Sequence, residues 1–303
     1  MLDALTLDQM RVFVAVAEAG SFRAGAARIS RVQSAVSHAI GNLEAQLGVA
    51  LFDRAGHRPA LTVEGRALLA DARAILLKAD AFRARARGLG EGVELALTIV
   101  VDTLFPPVTV GEALRDMHAA FPSVGVRMQV APLGGPIAAV SGGRCTLGIT
   151  ASEDRRDPRV AREFLVSLPF VAVAAAGHPL AEATDGERPI GTTELADHLQ
   201  IVLEDPTPLS EGRDFGVLSP GTWRVNGQDA KHALILAGAG WGRLPLWAVE
   251  RDLAEGLLVR IPATALGPRG EATVQAYLAN RTDEPLGPAA RAFREALIRR
   301  ISP

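Results

Sequence analysis

The chain has 303 residues, 48% of them apolar and 22% charged, with a net charge of −2 and a single cysteine. That length suits about two or three units, one cysteine excludes an intramolecular disulfide, and no apolar run approaches the ~20 residues needed to cross a bilayer. The opening Met1-Leu2-Asp3-Ala4-Leu5 lacks the basic start and apolar core of a secretory signal, so a cytoplasmic protein with no membrane partner is expected.

Charge is unevenly placed. Residues 1–90 carry 12 Lys/Arg against 8 Asp/Glu, a balance of +4, whereas residues 91–303 carry 20 against 26, a balance of −6. A modestly basic first unit on an acidic remainder places any nucleic-acid binding in the first.

Thr6-Leu7-Asp8-Gln9 has the spacing of a capping box and starts the first predicted helix, with Met10, Phe13, Val14 and Ala17 as its buried face and Gly20 as its end. An alanine-rich second helix is predicted from about Phe22 to Ile29. Ser30-Arg31-Val32-Gln33 offers another capping box, with Ser30 as the cap of a third helix that ends near Gly48. There, Val36, Ile40, Leu43 and Leu47 fall at i, i+4, i+7 and i+11, one apolar stripe. Gln33, Ser34, Ser37, His38 and Gly41 occupy the opposite side. Short hydrogen-bonding side chains on such a face can reach base edges in a DNA major groove; the same pattern also suits a surface helix of any globular domain.

Residues 49–62 place two short apolar pieces around a glycine-containing basic tip, the pattern of a small hairpin or wing. Arg54, His57 and Arg58 at that tip are candidates to meet phosphates. Thr62 then caps a long helix over 63–88, where Leu68, Ala72, Ile75, Ala79 and Phe82 alternate at spacings of four and three, a heptad-like seam. At ~39 Å it is too long for a small domain to bury alone. It reads as a dimerisation helix, the alternative being a connecting helix packed on its own domain.

Glycines at 88–92 end this pattern, and strand 93–101, helix 106–121, strand 124–130, helix 135–142 and strand 145–150 follow as a βαβαβ unit, an open parallel-sheet plan. Cys145 reads as a small buried residue. Two apolar runs at Val160–Val166 and Phe170–Ala175 precede a break at His178-Pro179. A second α/β unit follows, with strands at 199–203 and 217–225, a helix at 228–239 and a strand at 241–244. Late strands Leu257–Ile261 and Ala272–Ala279 and a helix over Pro288–Ile301 complete the chain.

With these residues in place, the chain resembles the LysR-type transcriptional regulators over essentially its full length. The likeness is carried by Phe13, Gly20-Ser21-Phe22, Ala26-Ala27, Gln33-Ser34-Ala35-Val36-Ser37, Leu43-Glu44, Leu47-Gly48, Leu51-Phe52, Arg54, Leu61-Thr62 and Gly65, and more loosely by Phe121-Pro122, Gly142-Gly143 and Gly240-Trp241-Gly242-Arg243-Leu244-Pro245. The resemblance implies an α/β chain in three parts: a winged helix-turn-helix at 1–62, a linker helix at 63–90 that pairs subunits, and an effector domain at 91–303. That last part resembles periplasmic solute-binding proteins, with one lobe at about 91–163 and 266–303 and the other at about 164–265. It also implies double-stranded promoter DNA, a small-molecule effector and further copies of the chain (a dimer, then a tetramer) as partners, with RNA polymerase as a further one; no cofactor is implied.

Carried over residue by residue, Gln33, Ser34 and Ser37 match the base-facing part of the recognition helix, and Arg23 and Arg31 flank it near phosphates. His38 stands where many members have Arg, which puts the base read there in doubt. Val32 stands where Ser or Thr usually caps, so Ser30 is expected to cap instead, and Gly25 departs from the more usual small or hydroxyl residue. In the effector domain the resemblance points to Asp102, Thr103, Leu104 and Phe105 after the first strand, to Pro132, Leu133, Gly134 and Gly135, to Leu203, Glu204 and Asp205, and to Trp223. Lys231-His232 is either a further candidate or ordinary helix surface. Asp102 suggests an effector with an amine or several hydroxyls, unless it caps the following helix. No Gly-x-Ser-x-Gly elbow, Walker loop, His-Glu-x-x-His pair or Cys-x-x-Cys occurs, and Gly238-Ala239-Gly240-Trp241-Gly242 follows a helix and precedes a strand, the reverse of a dinucleotide loop. The chain is not expected to be an enzyme. The alternative to a regulator is a solute-binding protein with the same two-lobed fold.

Overall fold

The computed structural model describes residues 5–54, 59–90, 92–151, 157–182, 189–210, 215–267 and 270–301. Its contacts divide the chain into two compact units, Met1–Gly90 and Glu91–Pro303.

The first unit holds helices α1 (Leu7–Ala19), α2 (Phe22–Arg28) and α3 (Gln33–Leu47), strands β1 (Phe52–Asp53) and β2 (Ala60–Leu61), and helix α4 (Val63–Gly90). The capping box is present: Thr6 Oγ1 accepts the Gln9 N–H at 3.2 Å and Gln9 Oε1 accepts the Thr6 N–H at 2.8 Å, while a left-handed Gly20 closes α1. The buried face of α1 is Val12, Phe13, Ala15 and Val16, whereas Met10, Val14 and Ala17 are only half-buried. The predicted stripe was too narrow because α2, α3 and α4 all pack on this one helix. Helix α2 approaches so closely that a Cβ at Gly25 would lie 2.8 Å from Val16 Cα, which accounts for the glycine there.

Ser30 does not cap α3. It has φ +55° and lies in the turn that closes α2, where the Arg31 N–H bonds to the Ala26 carbonyl. An N-cap needs extended backbone next to the helix, a place held here by Val32, whose side chain makes no cap bond. Strands β1 and β2 pair antiparallel, Phe52 opposite Leu61; His57 and Arg58 lie outside the described residues.

Helix α4 answers to both readings of its seam. Leu68, Leu69 and Ala72 join the core of their own unit, and Arg73–Glu18 (3.1 Å) and Arg11–Asp80 (3.8 Å) run alongside α1. On the same helix Ile75 and Phe82 stay exposed, at 42% and 73%, with Leu77.

The second unit runs β3 (Ala96–Asp102), α5 (Pro107–Ala120), β4 (Gly125–Ala131), α6 (Gly135–Ser141), β5 (Leu147–Ala151), β6 (Val160–Ala175), α7 (Pro179–Glu182), α8 (Thr192–Ala196), β7 (Gln200–Leu203), β8 (Thr222–Val225), α9 (Gln228–Leu236), β9 (Gly242–Pro245), α10 (Leu246–Ala254), β10 (Leu258–Arg260), β11 (Glu271–Arg281) and α11 (Pro288–Ile301). The main sheet is ordered β10-β6-β11-β5-β3-β4, with β9 also on β6; β7 and β8 form a parallel pair. Strand β3 is parallel to β4 and β5, as predicted, but β6, β9, β10 and β11 pair antiparallel, so the sheet is mixed. The two apolar runs at 160–175 are one strand. Pro169 interrupts their alternation in sequence yet keeps its place in the register with β11. Helix α10 was not predicted, although Leu246, Val249 and Leu253 have helical spacing.

Strand β6 belongs to two cores. Its first half joins the cluster in which α5 and α11 cover β3, β5 and β11, through Ile99, Leu147, Val110, Met117 and Phe293. In its second half, Val171 and Val173 pack toward Ile201, Ile235 and Val249, while Ala172 and Ala174 pack toward Leu180, Leu195 and Trp241. Cys145 is buried beside Ile137 and Val140, and burial pushes its thiol pKa up.

Two glycines test the packing of the first unit. The Gly65 N–H bonds to Thr62 Oγ1 at 2.8 Å, and a Cβ on it would stand 2.1 Å from the Leu51 carbonyl oxygen, whereas a Cβ on Gly41 meets nothing within 4 Å. In calorimetry Gly65→Ala should destabilise this unit by ~1–3 kcal/mol, and Gly41→Ala should stabilise it by up to ~1 kcal/mol.

Candidate nucleic-acid interface and small-molecule crevice

Helix α3 turns Val36, Ile40 and Leu43 fully inward and leaves Gln33, Ser34 and His38 exposed, with Ser37 and Gly41 at the margin. Asn42 Nδ2 lies 3.2 Å from His38 Nδ1. With the amide donating, the imidazole keeps Nε2–H as its remaining donor. Asn42 was not singled out in the sequence, although i, i+4 spacing makes the pair legible.

The basic residues around α3 differ in their commitments. Arg23 is exposed and has no partner among the described residues. Arg31 grips Asp8 with two hydrogen bonds of 2.8 and 2.9 Å, which raise its pKa. Arg54 Nη2 bonds to Glu44 Oε2 at 2.9 Å, and its guanidinium lies 5.1 Å from the Phe22 ring centroid. Glu44 is a positioning residue that sequence reasoning missed. Its Oε1 accepts the N–H groups of Leu51 (2.8 Å) and Phe52 (3.1 Å), so one carboxylate on α3 fixes the start of the hairpin and its arginine.

In the second unit, the segments that follow β3 and β4 are joined to those that follow β7 and β9 by two hydrogen bonds. Trp247 Nε1 at the start of α10 donates to the Leu104 carbonyl at 2.9 Å, and the Gly134 N–H donates to Asp205 Oδ2 at 3.1 Å. Leu104 and Leu203 meet at Phe170, and a Cβ at Gly134 would lie 2.2 Å from Thr207 Oγ1. Leu133 holds φ +57°, an uncommon conformation for a leucine. Asp205 also accepts from the Thr207 N–H and hydroxyl and from the Ser210 hydroxyl, which makes it the hub of its loop. Asp205 thus organises the loop that the resemblance singled out, whereas Trp247 was not singled out in the sequence.

Asp102 is fully buried. Its Oδ1 accepts the Leu104 N–H at 3.0 Å, and its Oδ2 faces the Ala151 N–H at 3.4 Å. Its carbonyl takes the Phe105 N–H. It therefore shapes the turn at 103–105 and does not cap the next helix, which begins after an uncapped Pro106. A carboxylate engaged this way offers no basis for an amine-bearing ligand. Glu204 is exposed, and Trp223 is 52% exposed in the middle of β8, short of its C-terminal end.

Four polar groups near these strand ends are buried without a hydrogen-bond partner among the described residues: Thr103 Oγ1, Thr150 Oγ1, and both amide atoms of Gln228. Lys231 is not helix surface. It is buried on the inner side of α9, and burial, with Arg243 adding like charge, pushes its pKa down to about 7. Its neighbour His232 faces outward to Asp252 on α10, with Nε2 2.7 Å from Oδ2.

A model described as "Bacterial regulatory helix-turn-helix protein, lysR family" matches residues 7–66, and one described as "LysR substrate binding domain" matches residues 90–302. The chain is 32% identical to the probable HTH-type transcriptional regulator YhaJ of Escherichia coli K12 over 84% of its own length and 85% of the relative's. It is 29% identical to the HTH-type transcriptional regulator AceR of Acinetobacter baumannii over 78% of each. Among solved structures, CrgA, a LysR-type transcriptional regulator from Neisseria meningitidis, shares the fold with a TM-score of 0.54 at 20% identity, covering 99% of this chain and 100% of that one.

Lys231 gives this unit a pH signature. Its folded pKa lies below the ordinary lysine value of ~10.4, so between about 7 and that value the unfolded chain holds more protons and stability rises with pH. The penalty for the buried ammonium is complete below about pH 7. Lys231→Met should therefore raise the unfolding temperature of residues 91–303 most near neutral pH, with the advantage shrinking as the pH approaches that of free lysine.

Proposed function

Because the chain belongs to the LysR family of helix-turn-helix transcriptional regulators, we propose that the outer face of α3 reads promoter DNA while the crevice of the second unit binds the small-molecule effector. In this reading residues 91–303 form two lobes that meet at the crevice, and Thr103, Leu104, Leu133, Gly134 and Leu203 border the ligand. Asp102 acts behind them by holding the 103–105 turn. The observation that carries the DNA reading is the division of α3, with an apolar back sunk in the core and an exposed row of Gln33, Ser34 and His38 small enough to enter a major groove. Arg23 serves as a phosphate contact, and Arg31 exchanges its exposed partner Asp8 for a phosphate on binding, while Arg54 stays held by the half-buried Glu44 and offers its remaining N–H groups. A surface pair such as Arg31–Asp8 is worth little, so its exchange costs little.

The exposed half of α4 supports pairing of two copies. Ile75 and Phe82, one heptad apart, are exposed with Leu77 on a helix whose Leu68, Leu69 and Ala72 join the core of their own unit, and exposed apolar side chains at heptad spacing are stable in water once covered. The described residues include no helix long and apolar enough to cross a membrane.

Gel-shift titrations against upstream intergenic DNA and scrambled DNA test the interface. Ser37→Ala should weaken specific binding several-fold and leave non-specific binding nearly unchanged; equal loss of both would place Ser37 outside base readout. Arg23→Gln should weaken both and lower the salt slope by about one. In analytical ultracentrifugation Phe82→Glu should shift the protein toward monomer, and an unchanged oligomer would place the subunit contact elsewhere.

A further inference from the structure

We infer that Val32 is a specificity-determining residue whose isopropyl group packs against the C5-methyl group of a thymine in the DNA target. This inference rests on the reading of α3 as the helix that enters the major groove, and it adds one base that the helix selects.

Val32 stands at the tip of α3. Its carbonyl accepts the Val36 N–H at 3.3 Å, and its backbone is extended, with φ −78° and ψ 145°, as an N-cap requires. That position favours Ser, Thr, Asp or Asn, whose side chain accepts a free N–H group of the first turn, and valine is among the poorest choices for it. The two preceding helices follow the rule. Thr6 Oγ1 accepts the Gln9 N–H at 3.2 Å, and Ser21 Oγ accepts the Ala24 N–H at 3.1 Å. Val32 makes no such bond.

Nor does the valine serve the core. Val36, Ile40 and Leu43 are buried, whereas Val32 is 68% exposed. Among the described residues it is the one exposed large apolar side chain that adjoins α3. An apolar group that neither caps the helix nor joins the core is free for whatever docks on this tip.

Its direction is fixed from both sides. The Ser30 N–H bonds to the Ala27 carbonyl at 3.2 Å and the Arg31 N–H to the Ala26 carbonyl at 2.9 Å, which ties the preceding turn to α2, while Val36 anchors the following turn. A β-branched side chain has few χ1 choices, so the isopropyl group is presented rigidly. Its neighbours Arg31, Gln33 and Ser34 are exposed and polar. A single apolar spot in a basic, polar setting does not suit a protein partner, whose contact has a wide apolar centre. It does suit a major groove, where the thymine methyl is the apolar group presented among donors and acceptors.

The test uses the full-length protein and the segment of upstream intergenic DNA that it protects in a footprint. Duplexes of that segment carry deoxyuridine in place of one thymine at a time, which removes the methyl group and keeps the base pair. For the parent chain, one or two positions in each half-site should weaken binding about four-fold, the worth of one buried methyl group. Val32→Ala and Val32→Ser should bind the thymine duplex that much more weakly and should bind the deoxyuridine duplex as tightly as the parent does. A damaged fold would instead weaken every duplex. The inference is overturned if no deoxyuridine weakens binding, if the discrimination persists in both variants, or if both variants lose affinity for all duplexes alike. Binding that prefers the target to scrambled DNA yet ignores every deoxyuridine overturns the role of Val32 and leaves the reading of α3 standing. Binding that shows no preference for the target removes both.

Discussion

The pairing of β6 with β11 is the constraint on which the second unit depends. Sixteen residues of β6 run through two hydrophobic cores, and β11 pairs with it from Glu271 opposite Val171 to Arg281 opposite Val160, with one bulge at Leu165 between Ala276 and Tyr277. Side chains of the first half pack with α5 and α11, and those of the second half with α9 and α10. The proposed crevice is bordered by the small cluster in which Leu104, Ala151 and Leu203 pack with Phe170. A displacement of one core relative to the other must bend this strand pair and alter the two bridging hydrogen bonds, Trp247 to Leu104 and Gly134 to Asp205. Those bonds join loops that immediately follow β3, β4, β7 and β9, so whatever occupies the crevice acts on the same short segments.

In the first unit the comparable constraint is the burial of Val36, Ile40 and Leu43. With the back of α3 fixed, the direction of Gln33, Ser34, Ser37 and His38 is fixed as well. Glu44 extends that rigidity to the hairpin by accepting three hydrogen bonds, from the Leu51 and Phe52 N–H groups and from Arg54. An interface that reads base edges needs such preorganisation, because misplacing a short side chain by a fraction of a hydrogen-bond length forfeits the contact.

Local signals were the legible ones. The Thr6–Gln9 box, Gly20 and Gly48 as left-handed ends, the apolar stripe of α3 and the parallel β3-β4-β5 unit all follow from spacing and residue type. What the sequence concealed depends on partners distant along the chain. Ser30 has the right residue type for a cap, but the turn closing α2 takes it into the left-handed region. Asp102 looks like a ligand group until Ala151, 49 positions away, is seen beside its carboxylate. Lys231 sits in a helix whose inner face could be told from its outer one only after β7 and β9 were placed against it. The long strand β6 was split in the sequence reading because Pro169 resembles a boundary, whereas in the sheet it sits in register opposite Thr273.

The central claim is that the exposed face of α3 touches base edges. A double-mutant cycle measures this most directly, combining His38→Ala with 7-deazapurines placed one at a time in the target DNA, since coupling between a side chain and a base appears only when the two interact. The account predicts a non-additive coupling of ~0.5–3 kcal/mol at one or two positions of each half-site. Strict additivity at every position, for His38 and likewise for Gln33 and Ser37, would contradict it.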